Sequence, residues 1–400
     1  MAGKVLFVIE RFYGGGAERA LSNIVTHFPR EWQIDILVDD ESMVKYPYRG
    51  NLLSLSYPEK DSTIHFIMSM IKRTICLRKI KRDNKYDACI SFLEGANISN
   101  ILSGNKYCKI IVSIRNQVMP EHSGTYHKVR DFLLTKLMFA HADIVSAVSE
   151  EIAMRLIYQL KIPQNKVCAI VNGYDCEWIK RNMTQLPENH IAYNEFVGKK
   201  YKIVVTVGRL VLQKGQWHLI RAFSEVLKRE PQAVLFIIGE GFLKEYLEEL
   251  AQSYGIWKQV VFVGCTDNPF WFLGIADIFI LPSLWEGYPN ALAEAICCGL
   301  PCIASDVHSG PREILAPGLN ATDKRVSEIM EAEYGMLIPV CSGKKYSVHD
   351  PLEPEECKMA EGIITLLCDD AKKQYYKDKS MKRGKELDIN RAVKEWIDII

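Results

Sequence analysis

Four hundred residues exceed what one hydrophobic core sustains, roughly 250 to 300, so two domains are expected. Hydrophobic content of 48% with 25% charged residues is that of an ordinary globular chain and excludes disordered and fibrous classes, and no apolar run reaches membrane-spanning length. The net charge of +1 hides an asymmetry: the first 172 residues carry 23 basic and 17 acidic side chains, the remainder 27 and 32, so an anionic partner is expected on the first half.

In chain order, Met1 to Lys4 lead into an apolar strand, Val5 to Ile9, which leaves no room for a signal peptide. Further strands are predicted at 34–38, 88–92, 110–114 and 144–148, with helical patterns between them. Asn172-Gly173 is a turn, and a polar stretch follows to Lys200. The rhythm then resumes with strands at 203–207, 234–238, 260–263, 278–281, 302–304 and 336–338. Helices fall at 216–228, 242–253 and 355–367. Continuous apolar strands alternating with helices mean doubly wound parallel sheets, an α/β fold. The expected division is a first domain over 1–180, a linker over 181–200 and a second domain over 201–385. A terminal helix over 386–400 is expected to pack back on the first domain. Twelve cysteines without a zinc-type spacing fit reduced thiols, and neither a disulfide framework nor a bound metal is expected.

Ligands of such sheets bind at the carboxyl ends of the strands. In the second half, Gly208-Arg209 and Lys214-Gly215 follow a strand and precede a helix, placing a guanidinium and an ammonium where a diphosphate fits. Gly239-Glu240-Gly241 follows the next strand. The most informative stretch is Glu286-Gly287-Tyr288-Pro-Asn290-Ala291-Leu292-Ala-Glu294. Asn290 reads as a helix N-cap, with Glu286 in the loop before it and Glu294 in the first turns. Carboxylates there accept hydrogen bonds from sugar hydroxyls, and free N–H groups suit a phosphate; Glu294 alone would also fit a carboxylate that complements the helix dipole. In the first half, Gly14-Gly15-Gly16 opens a helix, and strand ends carry Glu94 with Asn97 and Arg115 with Asn116. No Walker-type loop, serine-hydrolase elbow or metal-ligand set is present.

The segment Ile67 to Arg82 intersperses Lys72, Arg73, Arg78, Lys79, Lys81 and Arg82 with apolar residues. It reads as a basic amphipathic helix able to lie on anionic lipid or, equally, as an ordinary helix with a solvated basic face. Tyr126 to Lys136 is a second possible membrane contact.

Together the loops resemble those of retaining nucleotide-sugar glycosyltransferases of family 4, specifically the branch that assembles capsule, lipopolysaccharide and protein-linked glycans in bacteria. The resemblance rests on Gly15 to Arg19, Gly208-Arg209 with Lys214-Gly215, Gly239 to Gly241, Glu286 to Glu294, Ser305-Asp306 and Gly310 to Glu313, with Ser91 to Asn97 and Ser113 to Asn116 marking the branch. It implies a GT-B fold of two facing Rossmann-like domains and metal-independent transfer of a hexose or N-acetylhexosamine from a UDP-sugar to a lipid-linked oligosaccharide. No cofactor besides the donor and no nucleic acid are implied. The protein would lie on the cytoplasmic face of the inner membrane.

By the same resemblance, Arg209 and Lys214 hold the diphosphate, Glu294 the ribose and Glu286 the transferred sugar. Gly208, Glu240 and the N–H groups of Gly287 to Leu292 complete the donor contacts. Gly15 and Gly16 let the backbone approach the phosphate. Arg115 stands where many members have a histidine, with Glu94, Asn97 and Asn116 on the acceptor side. A UDP-sugar 2-epimerase or a non-catalytic nucleotide-sugar binder on the same fold are the alternatives.

Overall fold

The computed structural model describes residues 3–57, 63–116, 139, 141–187, 193, 196, 201–320 and 323–400, with the backbone alone at 43 and 63–66. Two compact units result: residues 1–173 with 389–400, and residues 174–388.

The first unit is built on seven parallel strands in the order β3-β2-β1-β4-β5-β6-β7. These are β1 (Gly3–Val8), β2 (Trp32–Val38), β3 (Asn51–Ser54), β4 (Ala88–Phe92), β5 (Lys109–Ile114), β6 (Ile144–Ala147) and β7 (Val167–Ala169). Helices α1 (Gly16–His27), α2 (Thr63–Asn84), α3 (Glu94–Leu102) and α4 (Glu150–Tyr158) connect them. Because helices cover both faces, successive strand residues are buried on opposite sides. Val5 and Phe7 of β1 join the core under α1, while Leu6 and Val8 join the one under α2. The chain's last helix, Ile389–Asp398, packs on α1 and sets Trp396 against Phe92 with ring centroids 5.6 Å apart.

In the second unit the order is β10-β9-β8-β11-β12-β14-β13, parallel except for β13. Its strands are β8 (Lys202–Val207), β9 (Ala233–Ile238), β10 (Val260–Gly264), β11 (Ile278–Leu281), β12 (Cys302–Ser305), β13 (Met330–Glu331) and β14 (Met336–Ile338). The helices are α5 (Cys176–Asn182), α6 (Gln216–Arg229), α7 (Lys244–Ser253), α8 (Pro269–Ile275), α9 (Asn290–Cys297), α10 (Pro311–Leu315), α11 (Pro354–Cys368) and α12 (Asp370–Glu386).

Three features differ from the sequence reading. The division falls at Gly173/Tyr174 and not near 180, because α5 packs on α8 and α9 within the second unit and Asn268 binds the carbonyls of Asn182 and Gln185. The short edge strands β3, β7 and β13 are additional. Finally, Cys176 and Cys297 are disulfide-bonded with Cα atoms 5.2 Å apart, so not every thiol is reduced; a pairing across 121 positions leaves no local sequence signature. Among the other ten cysteines, burial pushes the thiols of Cys89 and Cys168 up to about 12 and about 11, which keeps them unreactive.

Candidate active site

The loops at the carboxyl ends of β8, β9 and β11 interlock through backbone hydrogen bonds: Gly208 N–H to Ile238 O, Leu210 N–H to Glu240 O and Leu284 N–H to Gln213 O, all 2.8–2.9 Å. Gly215 permits the last of these approaches. It adopts φ +59°, and a Cβ would stand 2.4 Å from the Pro282 carbonyl. The approach brings a short helical turn, Leu212–Lys214, against the loop that carries Glu286.

There the buried Glu286 carboxylate is held on three sides. Lys214 Nζ donates to Oε1 at 2.5 Å, Ser283 Oγ donates to the same oxygen at 2.7 Å, and Gln213 Nε2 reaches Oε2 at 3.4 Å while binding Trp285 O. From the opposite side, Ser309 Oγ lies 2.8 and 2.7 Å from the carbonyls of Glu286 and Gly287. Gly310, at φ +86°, presses so close that a Cβ would meet Pro289 Cδ at 2.4 Å. Two proposed ligand groups, Lys214 and Glu286, are therefore each other's partners before any donor arrives. Ser283, Gln213 and Ser309 escaped the sequence reading, although Ser283 lies one helical turn's spacing before Glu286 and Gln213 adjoins Lys214.

Helix α9 starts one residue earlier than a cap at Asn290 requires. Pro289 occupies the N-cap, and Asn290 is the first helical residue, its Oδ1 accepting from Tyr174 Oη at 2.5 Å. The N-capping role is thus corrected: a tyrosine from the start of the second unit engages the amide. Leu292 also differs, since its N–H already bonds Pro289 O at 3.1 Å and its side chain is core. Glu294 is buried within α9, Tyr288 is buried and Ala291 half-buried, whereas Arg209 and Glu240 are exposed at their strand ends.

In the first unit, Gly15 precedes α1 in extended geometry, and Glu18 folds under it so closely that a Cβ on Gly15 would overlap the carboxylate. Glu18 itself pairs with Arg11 at 3.5 Å. At the β4 and β5 ends, Glu94 and Asn116 are exposed. Asn97 points inward: its Nδ2 donates to Ser113 O at 2.9 Å and its Oδ1 accepts from Ser91 Oγ at 2.7 Å. It is a bracket between two strands and does not present its side chain to an acceptor. Arg115 is buried, with its guanidinium on Asn172 Oδ1 and 5.2 Å from the Phe92 ring centre.

Helix α2 departs most from the reading of it as a basic membrane face. Arg73 is buried on Asp39 and Glu10, and Lys81 is buried on Asn100 Oδ1 at 2.7 Å and Ser103 Oγ at 2.6 Å, because each cation finds acceptors contributed by the loops after β1 and β2 or by α3 and its C-terminal cap. Lys72 binds Leu55 O, Arg78 binds the carbonyls of Leu102 and Ser103, and Arg82 pairs with Asp83 at 2.8 Å. Lys79 is exposed. Tyr126 to Lys136 lies outside the described residues. No described helix is long and apolar enough to cross a membrane.

Residues 14–178 match the Glycosyltransferase Family 4 domain and residues 191–328 the Glycosyl transferases group 1 domain. An uncharacterised glycosyltransferase of Methanocaldococcus jannaschii is 33% identical over 347 residues, 82% of each chain. A Campylobacter jejuni N-acetylgalactosamine-N,N'-diacetylbacillosaminyl-diphospho-undecaprenol 4-alpha-N-acetylgalactosaminyltransferase is 24% identical, covering 94% of this chain and 93% of its own. Among solved structures, Anabaena HepE in complex with UDP and glucose superposes with a TM-score of 0.74 at 16% identity over 99% of both chains. With both halves of the chain accounted for and two parallel-sheet units in place, this protein belongs to the family 4 glycosyltransferases and has the GT-B fold.

Proposed function

We propose that the enzyme transfers a hexosyl or N-acetylhexosaminyl group from a UDP-sugar to a lipid-linked oligosaccharide, with retention of anomeric configuration and without a metal. The observation that carries this reading is the Lys214–Glu286 pair on interlocked loops at the carboxyl ends of the second sheet, beside the helix that bears Glu294. A bound diphosphate offers Lys214 a stronger anionic partner and frees Glu286 to accept hydrogen bonds from the sugar's hydroxyls. Arg209, exposed after β8, supplies a second cation to the leaving group. Stabilising that departing charge and aligning the acceptor hydroxyl are the protein's contributions, and Glu286 acts by positioning. The lipid-linked acceptor is supported by the Campylobacter relative, whose name specifies a diphospho-undecaprenol substrate.

The test is a screen of UDP- and GDP-sugars that follows nucleotide release with membrane extract as the acceptor source. Glu286→Ala is expected to abolish transfer while UDP binding persists, and Glu294→Ala to weaken UDP binding by about tenfold or more, the worth of a charge-assisted hydrogen bond. Full activity in either variant sinks the assignment.

A further inference from the structure

Residues 174 to 176 grip helix α9 at both of its ends. Tyr174 Oη donates to Oδ1 of Asn290, the first helical residue, at 2.5 Å, and Cys176 is disulfide-bonded to Cys297, the last. The gripping residues are themselves seated on the end of α12: Tyr174 N–H bonds Leu387 O at 2.8 Å, and the Cys176 sulfur lies 3.2 Å from Gly384 O. Gly384 lets α12 come this near, since a Cβ there would stand 3.2 Å from Cys297 Cα. The disulfide is not sealed in the core. A cavity of about 140 Å³, with Asp175, Glu177, Lys180 and Lys385 in its walls, reaches both cysteines. Cys176 is half-buried and Cys297 buried, so the Cys176 sulfur is the one open to attack.

We infer that Cys176–Cys297 is a thiol–disulfide exchange site that sets how firmly α9 holds the nucleotide of the donor, with Tyr174 as the positioning residue at the other end of the helix. The reaction partner is a dithiol. Its thiolate attacks Cys176 Sγ, the S–S bond breaks, and Cys297 leaves as a thiolate that takes a proton; the second thiol then displaces Cys176, which is released as a thiol while the dithiol closes to its own disulfide. Exchange with an oxidised dithiol runs the same steps backwards. Opening the bond removes the covalent hold on the last residue of α9 and leaves the hydrogen bond at the first. A helix of eight residues is marginal by itself, so its geometry depends on what fixes its ends, and Glu294 lies within one turn of the released end. The inference rests on the reading of α9 as the donor helix and adds to it a redox state on which donor affinity depends.

The test compares the full chain before and after treatment with dithiothreitol, with UDP as the probe. Reduction should weaken UDP binding about fivefold or more, the lower end of ordinary coupling between two sites, and by linkage UDP should make the disulfide harder to reduce by the same factor. Without UDP, hydrogen exchange of the amides of residues 290–297 should quicken about tenfold on reduction. Cys176→Ser should bind UDP as the reduced wild type does and be indifferent to dithiothreitol. Tyr174→Phe, which removes a hydroxyl and keeps the ring, should weaken UDP binding about threefold or more and enlarge the effect of reduction, because both ends of α9 are then released. Alkylation of both Cys176 and Cys297 in air-oxidised wild type without prior reduction overturns the inference. So does equal UDP affinity of the two states, or exchange of α9 that reduction leaves unchanged. Absence of UDP binding in both states, with exchange still quickened by reduction, would instead refute the reading of α9 as the donor helix and leave the exchange site in place.

Discussion

Replacing Lys214 by Met tests whether the ion pair in the donor loops is a stored binding site. At 2.5 Å and an effective dielectric of 20, the gross attraction between Lys214 and Glu286 is about 7 kcal/mol. Desolvation of both groups offsets most of it. Removing one partner of a buried pair costs about 3–5 kcal/mol, because the other charge is left without its counter-ion. Here the Lys214 side chain keeps 16% of its surface in solvent and Ser283 and Gln213 still donate to the carboxylate, which lowers the expected loss to about 2–3 kcal/mol. In a Glu286→Gln background the same replacement should cost less than about 1 kcal/mol, since no orphaned charge remains. Urea unfolding of the four proteins of this double-mutant cycle measures the coupling directly. Titration with UDP adds the functional half: Lys214→Met should weaken binding about 10- to 100-fold, the value of one charge-assisted contact to a phosphate. A Lys214→Met protein of wild-type stability and wild-type UDP affinity would refute the argument that the two residues form a pair exchanged for donor.

Two further outcomes concern the segment 341–351, which folds over the first turns of α6. Arg221 holds it: Nη1 donates to Ser347 O and Nη2 to Pro351 O, both at 2.8 Å, while Nε bonds both oxygens of the buried Glu356. Arg221→Leu should destabilise the protein by about 3–5 kcal/mol, read as a lower urea midpoint. Nearby, Glu353 is buried, which raises its carboxyl, yet the Ser342 hydroxyl and N–H together with His218 and Tyr346 outweigh this and hold it below its ordinary 4.5. Its contribution is present above that value and is lost as the pH falls through the lower folded one. The urea midpoint of the wild type should therefore drop more steeply below pH 4.5 than that of Glu353→Gln, and equal slopes would show that the carboxylate is not the source.

The α/β architecture and most loop positions could be read from sequence because fully buried parallel strands appear as unbroken apolar runs and their ends are punctuated by Gly and Pro. Glu286 and Lys214 were recognisable as ligand-type residues in strand-end loops. That they meet was not, since 72 positions separate them and a close backbone approach permitted by Gly215 brings their loops together. The same limit explains α2. Its cations looked solvated because their acceptors, Asp39 for Arg73 and Asn100 for Lys81, come from elements 34 and 19 residues away. Strands of two to four residues, such as β13, β7 and β3, are too short for a period to emerge. The segment 341–351 offered polar turn residues and no hint that His218, whose Nε2 accepts from the Gly343 N–H at 3.2 Å, and Arg221 would anchor it.

The disulfide between Cys176 and Cys297 closes a covalent ring around Arg209, Lys214, Glu286 and Glu294. Every residue of the second unit assigned to the donor lies inside that circle. A backbone cut anywhere along residues 188–200 would open the circle without dividing it, so the nicked chain would stay one molecule until the disulfide was reduced. For the donor-binding unit, chain continuity and the integrity of the peptide backbone are separate properties.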